Sequence, residues 1–123
     1  MAPDLLGQAL QFRIAMDQPI CYATAEELFL QRLLIAEEYQ EFRTALDLGI
    51  EAQSLKELAD LVYVCFQYAV AAGWELDEAL ARVHQSNMSK LVNGKPIKND
   101  EGKVLKGPNY KPPFLEDLLN YEK

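Results

Sequence analysis

Five carboxylates have the types and spacing to do chemistry: those of Glu37-Glu38-Tyr39-Gln40-Glu41 and Glu57-Leu58-Ala59-Asp60. An α-helix turns about 100° per residue, so with Glu37 at zero, Glu41 falls near ~40° and Glu38 near ~100°. Leu30, Leu34 and Ala45 share that arc, at roughly 20°, 60° and 80°. The acids are therefore predicted on the side the helix buries, where ionised carboxylates are costly unless cations or donors compensate them. Glu57 and Asp60 repeat the pattern, because an almost continuous apolar run from Leu61 to Ala72 follows them. The pairs Glu38/Glu41 and Glu57/Asp60, on two apolar helices, read as the walls of one metal site. Hard divalent cations such as Mg²⁺ prefer carboxylate oxygens and keep several of their waters.

Carboxylates around two or more Mg²⁺ ions, with Mn²⁺ as a substitute, can hold a polyphosphate and lower the pKa of a bound water. A glutamate just outside the ligand set can then take that water's proton. The matching reaction is attack of water on a phosphoanhydride, where catalysis is mostly positioning and charge neutralisation. Glu57 also has a plainer reading. Ser54-Leu55-Lys56-Glu57 is a capping-box pattern, in which Glu57 would bond the first amides of a helix. One oxygen cannot serve both roles.

The elements that position these acids are helices. Residues 4–16 carry apolar spacing at Leu5, Leu6, Ala9, Leu10, Phe12 and Ile14, which predicts a short first helix ending at Asp17-Gln18-Pro19. Thr24, with Glu27 three residues on, predicts a capped second helix that runs to about Leu48 and stops at Gly49. Gly49 to Gln53 reads as a connection and Ser54 as the start of a third helix ending at Gly73. A fourth helix is predicted from near Asp77 to about Leu91. Short connections and the lack of strand alternation give the fold class: an all-α bundle of four to five helices in a single domain, residues 1–123. The helical core spans about 4–91.

A basic, irregular C-terminal tail follows over about 92–115. Asn93-Gly94 and Asn99-Asp100-Glu101-Gly102 are turn sequences, and Pro96, Pro108, Pro112 and Pro113 oppose regular helix. Lys95–Lys98 and Lys103–Lys106 are predicted to pair as a small hairpin, and Phe114 to Tyr121 to form a last short helix.

The chain has 123 residues, 50% hydrophobic and 25% charged, which suits one soluble globular domain. Residues 1–89 carry 14 acidic against 5 basic side chains, a net of −9, and residues 90–111 carry 6 lysines against Asp100 and Glu101, a net of +4. The overall charge of −7 argues against nucleic-acid binding. An acidic body with a basic tail suits a metal-bound anion gripped from both sides, although a solvated lysine-rich tail gives the same charges. Two cysteines make no disulfide framework. The start of the chain lacks a basic segment followed by an apolar one, and the Leu61–Ala72 run is shorter than the ~20 residues a bilayer requires. The expectation is a cytoplasmic protein without membrane attachment. Tyr63, Phe66 and Tyr68 point around most of the third helix, which suggests that a second subunit covers it.

Glu-Glu-x-x-Glu at Glu37–Glu41 and Glu-x-x-Asp at Glu57–Asp60 resemble the signature of the all-α nucleoside triphosphate pyrophosphohydrolases, the MazG and dimeric-dUTPase superfamily. The resemblance continues through Glu57-Leu-Ala-Asp-Leu-Val-Tyr-Val and Val83-His-Gln-Ser-Asn-Met-Ser-Lys90. It runs on in Asn93-Gly-Lys-Pro, Gly102-Lys-Val-Leu-Lys-Gly-Pro-Asn-Tyr110 and, upstream, Gln11-Phe12. The chain looks most similar to the single-domain MazG-like, phosphoribosyl-ATP-pyrophosphohydrolase-like branch. The resemblance implies that Glu38, Glu41, Glu57 and Asp60 ligate Mg²⁺ and that Glu37 polarises the attacking water. It further implies that Asn87 and Lys90 meet sugar and phosphate, that Lys95, Lys106 and Tyr110 close over the nucleotide, and that Gln11 contributes to substrate binding. Homodimers or dimers of dimers are implied as well.

One departure stands out. Where relatives often carry Phe-His-Arg near the N-terminus, this chain has Phe12-Arg13-Ile14, which would alter substrate preference if that segment touches the base. The implied activity is Mg²⁺-dependent conversion of a deoxynucleoside triphosphate, dUTP first, to monophosphate and pyrophosphate. Hydrolysis of phosphoribosyl-ATP is the second enzymatic reading, and a non-catalytic helical module binding nucleotide and metal is the third. A di-iron bundle is set aside because it needs Glu-x-x-His on two helices, and the single histidine, His84, has Ala81 three residues before it.

Overall fold

A computed structural model describes residues 3–119 of the chain. Its elements are α1 (Leu5–Ala15), α2 (Ala25–Leu48), α3 (Glu51–Ala72), α4 (Leu76–Met88) and a 3₁₀ turn (Glu116–Leu119). The all-helical class follows, with two isolated β-bridges and no named strand among the described residues. By its contacts the chain divides into two compact units, residues 1–76 and 77–123.

The first unit is a helical hairpin with a short helix laid on it. Asp4 caps α1 by accepting a bond from the Gly7 amide. Thr24 and Glu27 form the reciprocal capping box at the start of α2. Gly49, with φ of 71°, closes α2 in the left-handed conformation that a side chain disfavours, and Gly73, with φ of 79°, does the same for α3. Only Gly49 and Ile50 separate α2 from α3, so the two long helices pack side by side, and α1 packs on α3.

Helix α3 begins at Glu51, not at Ser54. Its cap residue, Ile50, has no side chain that could bond an amide, and Ser54 instead turns its hydroxyl back to the Ile50 carbonyl at 2.9 Å. Glu57 thus lies well inside the helix, and the capping reading of its carboxylate falls away.

The core of this unit is Ala9, Phe66 and Val70, with Leu6, Ile20 and Leu76 packed against it. Arg13 is the largest fully buried side chain, 1% exposed. Its Nε donates to the Pro19 carbonyl at 2.6 Å and its Nη1 to Gln67 Oε1 at 3.1 Å. Burial lowers the Arg13 pKa, with Glu27 opposing that shift. The Phe12-Arg13-Ile14 departure is therefore a structural pin between α1, the Pro19 loop and α3. Phe12 stands edge-on to Tyr63 at 5.6 Å, and Tyr68 leans on Trp74 at 5.4 Å. Within one chain α3 is not covered all round, because Tyr63 remains 40% exposed.

The second unit is held by turn chemistry and side-chain bonds. Helix α4 ends at Met88 rather than Leu91. Beyond it the amides of Lys90 and Leu91 bond the carbonyls only three residues back, those of Asn87 and Met88, and the Ser89 hydroxyl turns back to the Ser86 carbonyl. Asn93 and Gly94, with φ of 54° and 77°, form the two-residue turn over which Val92 and Lys95 exchange both backbone bonds. In place of the predicted lysine hairpin there is an isolated bridge: Lys98 bridges Val104, and the Leu105 amide bonds the Ile97 carbonyl. Asn99 Oδ1 closes its loop by accepting from the Glu101 and Lys103 amides, each at 2.9 Å. Arg82 ties α4 to the last turn through Glu78, the Phe114 carbonyl and Asp117. The expected final helix is a single 3₁₀ turn, and Tyr121 lies outside the described residues. Among the described residues no helix is long and apolar enough to cross a membrane.

Candidate active site

Helix α2 offers Glu38 and Glu41 one turn apart, and α3 faces them with Glu57. One carboxylate oxygen from each lies within 4.8 Å of the other two. Glu57 is 6% exposed, Glu38 half-buried and Glu41 exposed, so the cluster opens from the α2/α3 interface toward solvent. Gln53, one turn before Glu57, donates its amide to Glu57 Oε2. The other oxygen, Glu57 Oε1, is buried without a hydrogen-bond partner, and so is Glu38 Oε1. A buried carboxylate oxygen without a donor is costly. Burial pushes the Glu38 carboxyl above its usual value, and the charges of Glu41, Asp60 and Glu57 push it further the same way.

Asp60 acts on Glu38 through its charge but is not one of the three acids whose oxygens lie within 4.8 Å of one another. Its Oδ2 takes the Lys56 ammonium at 2.8 Å, and the same ammonium lies 3.8 Å from Glu57 Oε2. The Lys56 pKa is raised by the hydrogen bond to Asp60 and by the charges of Asp60 and Glu57.

Glu37 is exposed and outside the trio. The less exposed stripe of α2 runs through the half-buried Gln31, Ile35, Glu38 and Phe42 to the buried Ala45. It is therefore centred away from Glu37, and Leu30 and Leu34, expected to be buried beside the acids, are 55% and 37% exposed. Gln11 is exposed on α1, beside Leu10 and Ile14. In the second unit Asn87 is exposed in the last turn of α4, and Lys90 is half-buried in the turn that follows. Lys95 is exposed next to the Asn93-Gly94 turn, and the Lys106 ammonium sits 4.9 Å over the Tyr110 ring. Gly107 has no room for a side chain, because a Cβ there would meet Val92 at 2.8 Å and the Lys90 carbonyl at 3.1 Å.

Three residues of the first unit escape the motif reading. Gln53 and Lys56 were detectable as helical neighbours of Glu57 and Asp60 at i, i+4. Gln31, whose Oε1 is also buried without a partner, is on the same stripe as Glu38 two turns earlier and carries no motif signal.

The chain matches the model of the phosphoribosyl-ATP pyrophosphohydrolase family over residues 6–87, well over half its length. It belongs to that family. As a member of the all-helical MazG-like superfamily of nucleoside triphosphate pyrophosphohydrolases, it is a hydrolase acting on phosphoanhydride bonds in nucleotide-like substrates. The matched segment holds all five carboxylates of the motif and ends at Asn87, so Lys90, Lys95, Lys106 and Tyr110 lie beyond it. No curated protein matches the chain.

The donor set suits the divalent metal that such pyrophosphohydrolases generally use. Three carboxylates converge, and the buried unpartnered oxygens of Glu38 and Glu57 lack a positive partner. All the donors are hard oxygens, which suit a hard divalent cation rather than a softer metal.

Proposed function

We propose that this protein is a Mg²⁺-dependent pyrophosphohydrolase that cleaves a nucleoside triphosphate to the monophosphate and pyrophosphate, with a deoxynucleotide, dUTP first, as substrate. The convergence of Glu38, Glu41 and Glu57 around buried, unpartnered carboxylate oxygens carries this reading.

Glu38, Glu41, Glu57 and Asp60 would hold the metal, with Mn²⁺ as a substitute for Mg²⁺. Bound there, the metal would neutralise phosphate oxygens and lower the pKa of a water. The chain's own groups supply the rest. Gln53 fixes the rotamer of Glu57 by holding one of its oxygens. Glu37, exposed and free of the cluster, accepts the proton of the attacking water. Asn87 and Lys90 bind sugar and phosphate. Lys95, Lys106 and Tyr110 close over the nucleotide, the tail's positive charge meeting the substrate's negative charge.

A second substrate, phosphoribosyl-ATP, is favoured by the family match itself. It calls for the same cleavage between the α and β phosphates, so the site chemistry serves either substrate. Pyrophosphate release from dUTP, the other deoxynucleotides, the ribonucleotides and phosphoribosyl-ATP separates the two. Fastest Mg²⁺-dependent turnover of dUTP supports the first reading, and turnover of phosphoribosyl-ATP alone replaces it with the second.

The protein acts as a homodimer or a dimer of dimers, in the cytoplasm, where nucleotide pools are kept. Support for the oligomer lies in the open apolar face of the helical hairpin: Phe29, Leu30 and Leu33 on α2 and Leu55, Leu58 and Val62 on α3 are all between 41% and 69% exposed. Exposed apolar side chains of this kind are what a second subunit would cover. Light scattering at working concentration should return at least twice the chain's 14.0 kDa.

A further inference from the structure

We propose that Lys56 is the resident cation of the metal-free site: it holds Asp60 out of the carboxylate cluster, and a divalent ion recruits Asp60 only by breaking that pair. The proposal rests on the metal-site reading above and assigns it a positioning residue. Glu38, Glu41 and Glu57 bring oxygens within 4.8 Å of one another, whereas Asp60, one turn beyond Glu57 on α3 and near enough for its charge to act on Glu38, is not in that group. Its Oδ2 is taken up by the Lys56 ammonium at 2.8 Å, with Glu57 Oε2 at 3.8 Å from the same nitrogen. Lys56 therefore touches one prospective ligand and borders another. The buried Oε1 of Glu57, 6% exposed as a residue and without a partner, shows that the ammonium does not satisfy the inner part of the cluster.

The pair is built to be broken. The Lys56 side chain is 62% exposed and that of Asp60 37%. Exposed i, i+4 pairs contribute little, of the order of a two- to fivefold bias in an equilibrium. A divalent ion brings twice the charge and a second carboxylate to share it. Released from Asp60, the long flexible stem of Lys56 leaves its charge at the rim of the site, where it no longer competes with the metal.

The test is Mn²⁺ binding without nucleotide, followed by the loss of the free aqueous Mn²⁺ signal in electron paramagnetic resonance. Lys56→Gln should bind Mn²⁺ about two- to fivefold more tightly than the wild type, and Lys56→Arg, which keeps the pair, should bind it much as the wild type does. In an Asp60→Asn background the gain from Lys56→Gln should shrink to about the effect of Arg43→Gln, an exposed cation on α2 stacked on Tyr39. Unchanged or weaker binding by Lys56→Gln, with wild-type binding intact, overturns this inference and leaves the metal site standing. A gain that persists in full with Asp60→Asn also overturns it, because the effect would then be one of net charge. Absence of Mn²⁺ binding by the wild type at millimolar concentration removes the metal-site reading itself.

Discussion

The two units differ in how their polar groups are satisfied. In the second, several polar side chains have defined partners. Ser86 donates to the Lys111 carbonyl at 2.7 Å, Ser89 Oγ accepts from the Lys111 amide, Asn99 caps two amides, and Arg82 reaches two carboxylates and a carbonyl. In the first, three carboxylates crowd within 4.8 Å, with two buried oxygens left bare. Stability alone would not select the carboxylate cluster of the first unit, since like charges at short range raise the free energy of the folded state. A cluster left in this state calls for a compensating positive charge.

The largest effect that could break this contrast is in the bare cluster. Glu41→Gln, and likewise Asp60→Asn, should lower turnover by about 10²- to 10³-fold. Unfolding of metal-free Glu41→Gln should stay unchanged or move to higher temperature, because a repulsive charge is gone. An active Asp60→Asn enzyme would remove Asp60 from the ligand set. Gln53→Ala, which frees Glu57 from its tether, should cost about 10- to 100-fold in metal affinity or activity. Metal titration of the variant against the wild type reads this directly.

In the second unit the expected effects are smaller. Lys90→Ala should raise KM about tenfold with little change in kcat, the loss of one charged contact to substrate. Unaltered kinetics would take Lys90 out of the site. Asn99→Ala removes the acceptor of two amides and should cost about 1 kcal/mol locally, read as faster amide exchange at Glu101 and Lys103.

The smallest effect sharpens the contrast through pH. The folded state raises the Glu38 carboxyl, so it binds that proton more readily than the unfolded chain does. The stabilising contribution is fully present below the ordinary glutamate value and is lost as pH rises through the elevated one. Denaturant melts of metal-free protein should therefore show stability declining across that window. The decline should vanish in Glu38→Gln.

Much of the first unit was legible because its signals are local. The capping box at Thr24 and Glu27 and the glycines at 49 and 73 mark the ends of α2 and α3 without reference to packing. The start of α3 was misread for a physical reason: Ile50 caps it without a side-chain bond, while Ser54 and Glu57 mimic a capping box within the helix. The carboxylates of α2 were found, but the arc drawn through them was misplaced. Helix α2 has one apolar stripe against α3 and another, through Leu30 and Leu33, open to solvent, and periodicity cannot say which faces the same chain. Arg13 escaped because arginine is expected at the surface, and only the tertiary contacts with Pro19 and Gln67 make its burial affordable. The Lys56–Asp60 pair was legible in its i, i+4 spacing; its effect on the ligand set was not.

The most direct test of the central claim is pyrophosphate release by the wild type and Glu41→Gln from the nucleotide panel, with Mg²⁺ and with chelator. The account predicts monophosphate and pyrophosphate from the wild type with Mg²⁺ only, and loss of that turnover in Glu41→Gln. Turnover that survives the chelator, or that Glu41→Gln retains in full, would contradict it.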